Sequence, residues 1–431
     1  MRRLADSLVI KGGRVIDATG ERDADVVIED GHVAEVGPGL TGDTVLDATG
    51  TIVAPGLVDL HVHLREPGGE DAETIDTGAR AAALGGFTAV IAMPNTEPPQ
   101  DDPAVVSSVL AKGARSCCDV HAAGAITLGR AGQALAPMGE LYALGVRVFT
   151  DDGACVASAG MMRAALEYAR SLPGAVIAQH AEDETLATGH MHEGEWSSRL
   201  GIPGRPAAAE EIVVARDCLL AQLTGTPVHF LHLSTAGAIE LVRAAKARGV
   251  PVTAEAAPHH FTLTDAACES FDPMFKVNPP LRSADDVAAV KAGLADGTID
   301  AIATDHAPHP TEAKERTFEE APPGMLGLET ALALTITELV DAGVMAIGDA
   351  LARLSWGPAA IAGLTDHGGP ISPGAIANLC VFDPSVVWTV DVSKLASRGS
   401  NSPYGGRAVT GRVRHTVLRG EAVVKDGEAQ R

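Results

Sequence analysis

The sequence predicts an α/β protein: a (β/α)8 TIM-like barrel with a small β domain formed from both chain termini. Three observations carry this. Eight apolar, strand-like runs recur through the middle of the chain, and Ala-rich amphipathic stretches of helical length separate most of them. Both ends consist instead of short β-branched runs broken by Gly-rich turns.

The first segment, "LVIKGGRVIDATGERDADVVIEDGHVAEVG", places Asp30-Gly31 between two such runs, a strong hairpin signal. The end of the chain, "HTVLRGEAVVKDG", repeats the style with Asp426-Gly427 as its turn. These ends predict one discontinuous β domain at about residues 1–54 and 370–431, leaving 55–369 to the barrel. The eight central runs are "GLVDLHVHL", "FTAVIAMPN", "DVHAAGAIT", "VRVFTDD", "AVIAQHAE", "PVHFLHLS", "VPVTAEAAP" and "DAIATDHAP". Helical stretches between them include Glu73 to Leu84, Ala159 to Ser171 and Ala208 to Leu223. A doubly wound open sheet is the alternative architecture. No GxGxxG or GxxxxGK[ST] follows any run, so the usual nucleotide readings of such a sheet fall away.

Composition narrows the function. The 431 residues suffice for one large core or a core plus a smaller domain. Hydrophobic residues make up 46% and charged residues 21%, as in globular proteins. Aromatics are only 3%, so aliphatic side chains must fill the core. A formal net charge of −23 argues against nucleic acid or an anionic membrane as partner, and it means that an anionic substrate needs local positive charge. The six cysteines form neither a CxxC zinc pattern nor a secreted disulfide framework. The start, "MRRLADSLVIKGG", lacks the apolar core of a signal peptide, and no run is long enough to span a bilayer, so the cytoplasm is the default expectation.

In a barrel of this kind, catalytic groups stand at the C-terminal ends of strands. Several runs here end in a metal-capable residue: His61 and His63, then Asp151-Asp152, His180, His232 and Asp305. In a strand, residues i and i+2 face one side, so His61 and His63 point together into the barrel mouth. Neutral imidazole is a standard zinc ligand. Four histidines with carboxylates exceed the needs of one tetrahedral zinc and suit two metals sharing a bridging carboxylate. Taken singly, each residue has a bland reading: a satisfied core histidine, or an aspartate at a turn or cap. Their joint occurrence at strand ends favours a metal site. Arg65, two residues past a ligand, suits bidentate carboxylate binding. Asn95, at the end of the second run, reads as a substrate contact.

Together these residues resemble the amidohydrolase superfamily and, within it, dihydroorotases of the bacterial class I type. The resemblance covers nearly the whole chain. It rests on "PGLVDLHVHLREPG", "AMPNTEPP", "FTDDG", "QHAED", "HLST", "TAEAAPHH", "KVNPPLR", "IATDHAPH" and "GMLGLET". Relatives that act on hydantoin or allantoin usually bridge their metals with a carboxylated lysine after strand four. This chain has Asp151-Asp152 there and no lysine, as class I dihydroorotases do. The resemblance implies that Asp152 bridges two Zn2+ ions, with His61, His63 and Asp305 around one and His180 and His232 around the other. It also implies Arg65, Asn95, Asn278 and His309 as substrate contacts, with the backbone at Pro323-Gly324 completing the pocket; His63 lies within reach of both metal and substrate. One departure is "HAED", where many relatives read "HCED"; Ala181 is not an implied ligand.

The implied reaction is reversible opening of L-dihydroorotate to N-carbamoyl-L-aspartate in pyrimidine (UMP) biosynthesis. A metal-bridged hydroxide attacks, Asp305 acts as general acid and base, and the metals or His309 polarise the carbonyl. The charged segment "HPTEAKERTFEEAPPGMLG" is expected to form a mobile loop over the site. Two rival functions stand beside this one: a hydantoinase or allantoinase, and a catalytically silent scaffold for aspartate transcarbamoylase. All six implied ligands are present, which disfavours the silent reading. A homodimer is the common closed assembly.

Overall fold

Eight parallel strands form the barrel: Leu57–Val62, Phe87–Ala92, Asp119–Ala122, Val148–Phe149, Val176–Gln179, Val228–Phe230, Val252–Ala256 and Ala301–Ile302. The first three pair in sequence, and the last five pair in sequence. Parallel bridges from Gly124 to Phe149 and from Val62 to His306 join the two groups and close the ring. All eight coincide with the predicted runs. This computed structural model describes residues 7–431; residues 1–6, the start of the predicted β domain and of the segment read as lacking a signal-peptide core, lie outside the described residues.

The strands form because their Val, Ile, Phe and Ala residues are covered on both faces, as parallel sheets require. Leu57–Val62 and Phe87–Ala92 are buried throughout. Strands four and eight are shorter than their sequence runs, with two residues each. Beyond them the backbone leaves the ladder, and Asp305 adopts φ 48°. The polar residues therefore sit just past the strands, at the barrel mouth.

The surrounding helices begin where hydroxyl side chains cap them. Thr74 accepts from the Thr77 amide ahead of helix Ile75–Leu84, and Ser158 accepts from the Met161 amide ahead of Ala159–Ala169. Alanines supply much of the buried face, as at Ala79, Ala82 and Ala83. Small side chains let helices pack close, so a chain poor in aromatics still fills its interior. The few phenylalanines stand at central positions: Phe87, Phe149, Phe230, Phe261 and Phe382 are fully buried.

A nine-stranded sheet combines both ends of the chain. Ile52–Pro55 pairs parallel with Leu8–Asp17 on one side and antiparallel with Leu379–Thr389 on the other. The two predicted turns are present. Asp30 and Gly31 have φ 48° and 78°, and Asp426 and Gly427 have 51° and 79°. Positive φ at both central residues matches the twist of the flanking strands.

Gly86 sits where this sheet meets the barrel. Its φ is +89°, and a Cβ there would lie 2.6 Å from Cys380 Sγ and 3.2 Å from a Val413 methyl. Gly86→Ala is expected to destabilise the fold by roughly 1–3 kcal/mol through overpacking and backbone strain. A lowered midpoint in urea unfolding checks this; an unchanged midpoint refutes it.

Candidate active site

His61 is completely buried beneath the barrel mouth, with each ring nitrogen facing a carboxylate. Its Nδ1 lies 2.9 Å from Glu255 Oε1. The other Glu255 oxygen lies 2.9 Å from His229 Nε2, and His229 Nδ1 is 2.8 Å from Thr253 Oγ1. Burial pushes the Glu255 carboxyl up, but hydrogen bonds from His229 and His61 hold it down at about 2. Glu255 is thus an anion that accepts a hydrogen bond from His61 Nδ1–H and leaves a lone pair on Nε2. That Nε2 makes no hydrogen bond, although Asp152 Oδ2 is 3.3 Å away and Asp305 Oδ1 is 3.5 Å away. A histidine whose far nitrogen donates to a carboxylate is the usual arrangement behind a metal ligand.

His63 points the same way. Its Nδ1 lies 2.9 Å from Asn95 Oδ1, and its Nε2 lies 3.1 Å from Asp305 Oδ1 and 3.5 Å from Asp152 Oδ2. Asn95 therefore orients His63 while its own amide nitrogen stays free for a ligand.

Asp152 offers one oxygen to each of two groups. Oδ2 faces His61 and His63; Oδ1 faces His180 Nδ1 at 3.5 Å and His232 Nε2 at 3.6 Å. The ring nitrogens of His180 and His232 approach to 2.9 Å. In each group, His61–His63–Asp152 and Asp152–His180–His232, the candidate ligand atoms all lie within 4.8 Å of one another. Asp151 turns away: Oδ1 accepts from the amides of Ile126 and Thr127 at 2.8 and 3.0 Å, and Oδ2 accepts from the Thr127 hydroxyl. Geometry thus separates two aspartates that residue type alone leaves equivalent.

The electrostatics ask for a cation. Burial disfavours charge on His61, yet Asp152 and Asp305 raise its pKa well above the usual imidazole value. Burial also opposes charge on His180, but Asp152 and Glu182 push it up to about 10. Asp152 itself is held well below the carboxylate range, against its burial, chiefly by His61. Among the described residues, Asp152 Oδ1 and His232 Nδ1 have no hydrogen-bond partner. Buried, unpaired donor atoms converging from imidazole and carboxylate fit divalent metal.

All the predicted site residues except His61 line one cleft of about 180 Å³. A cleft of about 220 Å³ against Glu329 and Trp388 contains none of them. Arg65, with φ 61°, donates from Nε to the Pro308 carbonyl at 3.1 Å. Its terminal nitrogens make no protein hydrogen bond among the described residues and face the cleft. His309 differs from expectation. Its Nε2 is 2.8 Å from the Pro323 carbonyl, so it donates there, and burial lowers its pKa to about 3. The neutral ring then presents an acceptor at Nδ1, which suits a ligand N–H and not polarisation of a carbonyl.

The expected mobile loop also differs in form. It contains the short helix Thr311–Lys314 and is tied down at several points. Buried Lys314 donates to the carbonyls of Pro273 and Pro322 at 3.0 and 2.8 Å, and the Gly324 amide donates to Lys276 O at 2.9 Å. Asn401, from the C-terminal segment, accepts from the His309 amide at 3.0 Å. It also donates to the carbonyls of Ala307 and Gly324 at 2.9 and 3.1 Å.

Sequence reasoning missed Glu255 and Asn401. A signal for Glu255 exists: it is a lone acid inside an apolar strand, two residues from Thr253 and therefore on the same face. Asn401 carries no such signal, since it lies 92 residues from His309. Glu255→Gln keeps the shape but removes the charge behind His61. It is expected to weaken metal retention by roughly 10–100-fold. Metal content after dialysis against graded chelator measures this, and retention equal to the parent protein refutes the role.

Comparisons agree with this chemistry. A family model described as "Dihydro-orotase-like" matches residues 50–238. The dihydroorotase of Pelotomaculum thermopropionicum is 51% identical, over 97% of this chain and 99% of the relative. Those of Streptomyces coelicolor and Mycobacterium tuberculosis are 50% and 48% identical, over 97% and 98% of this chain and 99% of each relative. Among solved structures, an L-hydantoinase (dihydropyrimidinase) from Arthrobacter aurescens superposes with a TM-score of 0.89 at 27% identity, covering 99% of this chain and 98% of that one. With the barrel, the paired histidine–aspartate groups and these relatives in agreement, the chain belongs to the dihydroorotase family of cyclic-amide hydrolases.

Proposed function

We propose that the chain is a dihydroorotase, reversibly hydrolysing L-dihydroorotate to N-carbamoyl-L-aspartate in pyrimidine biosynthesis. The observation that carries the reading is a pair of free donors beside two groups of candidate metal ligands. Arg65 and Asn95 keep free donors facing the same cleft as His63, Asp152, His180, His232 and Asp305. We take residues 1–54 with 370–431 as the small β domain and 55–369 as the catalytic barrel.

The metal is proposed as zinc, two ions per chain. His61, His63 and Asp305 would hold one, His180 and His232 the other, and Asp152 both. When bound, such ions acidify water and polarise a carbonyl. The remaining work falls to side chains. Arg65 and Asn95 hold the substrate carboxylate, and Asn278 with the backbone at Pro323-Gly324 frames the ring. His309 Nδ1 accepts from a ring N–H. Asp305 takes the proton of the attacking water and delivers it to the ring nitrogen as the amide bond breaks. Its carboxyl is suited to this as an anion: burial opposes the charge, but His61 and His63 hold its pKa well below the usual range.

Likeness to an L-hydantoinase supports a second reading, another cyclic-amide substrate. Arg65 argues against it, because a ring without a carboxylate leaves that guanidinium unused. Purified protein is therefore assayed on L-dihydroorotate, hydantoin, dihydrouracil and allantoin, before and after chelation and zinc return. Turnover of dihydroorotate alone, lost with chelator and restored by zinc, is expected. Turnover of another ring overturns the substrate; no turnover by metal-loaded protein brings forward the silent-scaffold reading. Asp305→Asn should lower kcat by about 10²-fold or more, the usual scale for a lost acid–base group, with the metal still bound. Gel filtration, alone and with aspartate transcarbamoylase, tests the homodimer and the association that the family suggests.

A further inference from the structure

The carboxylate that Asp152 leaves to its neighbour builds a second feature. Asp151 accepts from the amides of Ile126 and Thr127 and from the Thr127 hydroxyl, and the Thr127 hydroxyl in turn accepts from the Gly132 amide at 2.9 Å. Asp101 Oδ2 accepts from the Gly129 amide at 2.6 Å. These bonds fix a tight loop that carries Arg130 at φ 53°, flanked by Gly129 and Gly132 at φ 62° and 69°. A non-glycine residue in this region is uncommon and costs free energy, and such strain concentrates at functional sites.

The Arg130 guanidinium forms no hydrogen bond and no ion pair among the described residues, although the chain carries 56 acidic residues against 33 lysines and arginines. It is half-buried. Its place is defined by Gly153, the residue after Asp152: a Cβ there would lie 3.2 Å from Asn95 Nδ2 and 3.9 Å from Arg130 Nη1. Arg130 and Asn95 thus stand side by side at the rim. A cleft of about 310 Å³ opens there, lined by Arg65, Asn95, Gly129 and Arg130. It shares Arg65 and Asn95 with the inner cleft. Glu97 is its one lining carboxylate and is exposed. Two arginines, Arg65 and Arg130, thus face a single carboxylate in the lining, so the wall of the vestibule is net positive on an acidic protein.

We propose that Arg130 forms an outer carboxylate-binding site, which captures the anionic substrate at the vestibule before Arg65 and Asn95 take it. The inference rests on the reading that the ligand bears a carboxylate. N-carbamoyl-L-aspartate has two carboxylates and dihydroorotate one, so the ring-opened form should depend on Arg130 more. An arginine serving only loop structure or solubility would show no such preference.

The test compares the parent enzyme, Arg130→Gln and Arg130→Lys, zinc-loaded, in both directions and across a salt series. Rim charges act on association and its salt dependence. In Arg130→Gln, KM for N-carbamoyl-L-aspartate should rise roughly three- to tenfold, the scale of a charged hydrogen bond at a partly exposed site. Its kcat should hold within about twofold, and kcat/KM should fall less steeply with salt than in the parent. The KM for dihydroorotate should rise less, and Arg130→Lys should recover part of both changes. Unchanged KM and salt slope, or a loss confined to kcat, overturns the proposal. Calorimetric binding of N-carbamoyl-L-aspartate separates this from the functional reading. If the parent protein turns over no dihydroorotate yet binds the dianion more tightly than Arg130→Gln does, the outer site stands and the proposed reaction falls. Equal binding by both rejects the site.

Discussion

Asp152 is a carboxylate buried between two pairs of imidazoles, and the rest of the site follows from the cost of keeping it there. An isolated ion moved into an apolar interior costs on the order of tens of kcal/mol by continuum solvation, so it must be neutralised or paired. Here the pairing is shared. Each oxygen faces two histidines, while Asp305 adds a second anion against His61 and His63. Glu255 behind His61 adds a third. Three buried anions around neutral imidazoles call for positive charge, which either protons on the histidines or bound cations can supply. The raised pKa values of His61 and His180 are the proton form of that demand.

Such a cluster cannot be built on regular strands alone. Among the described residues, eight non-glycine residues have positive φ, and four of them, Arg65, Arg130, His232 and Asp305, line the inner cleft or its vestibule. Each adopts left-handed backbone where the chain has already left its strand. Strain of this kind costs about 1–3 kcal/mol per residue and persists only where the surroundings over-determine it. Those surroundings include Asp59, whose Oδ1 accepts from the amides of His61 and Thr304 at 3.1 and 3.0 Å, tying strand one to strand eight below the ligands. The large apolar core and the sheet shared by the two termini hold the barrel closed around them.

Much of this is legible in the chain because it is periodic or local. The eight runs, the helices capped by Thr74 and Ser158, and the hairpins at Asp30-Gly31 and Asp426-Gly427 each follow from a few neighbouring residues. The clustering of His61, His63, Asp152, His180, His232 and Asp305 is legible for a subtler reason. In a parallel barrel all strand ends share one face, so residues distant in sequence meet by topology. What stays hidden depends on register across long separations. Asn401 bonding to His309 is one case. Another is the direction of the His309 proton, fixed by a Pro323 carbonyl that no local pattern reveals. The segment after strand eight reads as free because it is charged, yet its Lys314 is buried against main-chain carbonyls.

The pair Asp151-Asp152 shows how one strand end can serve two purposes. The chain turns here, with the Ala154 amide donating to the Asp151 carbonyl at 2.9 Å, and the two side chains part. Asp152 faces the imidazoles. Asp151 faces outward to the loop after strand three, where it bonds the amides of Ile126 and Thr127 and holds up Arg130. Gly153 follows, and its missing side chain lets Asn95 and Arg130 approach the same point. Three consecutive residues thus set the carboxylate shared by four imidazoles, the anchor of the Arg130 loop and the opening between them. The coupling is rigid: a one-residue shift of this segment would move the shared carboxylate away from the imidazoles and release the loop together. On a protein of net charge −23, an anionic ligand depends on local positive charge, and this segment positions one such group, Arg130, through residues adjoining the imidazole cluster.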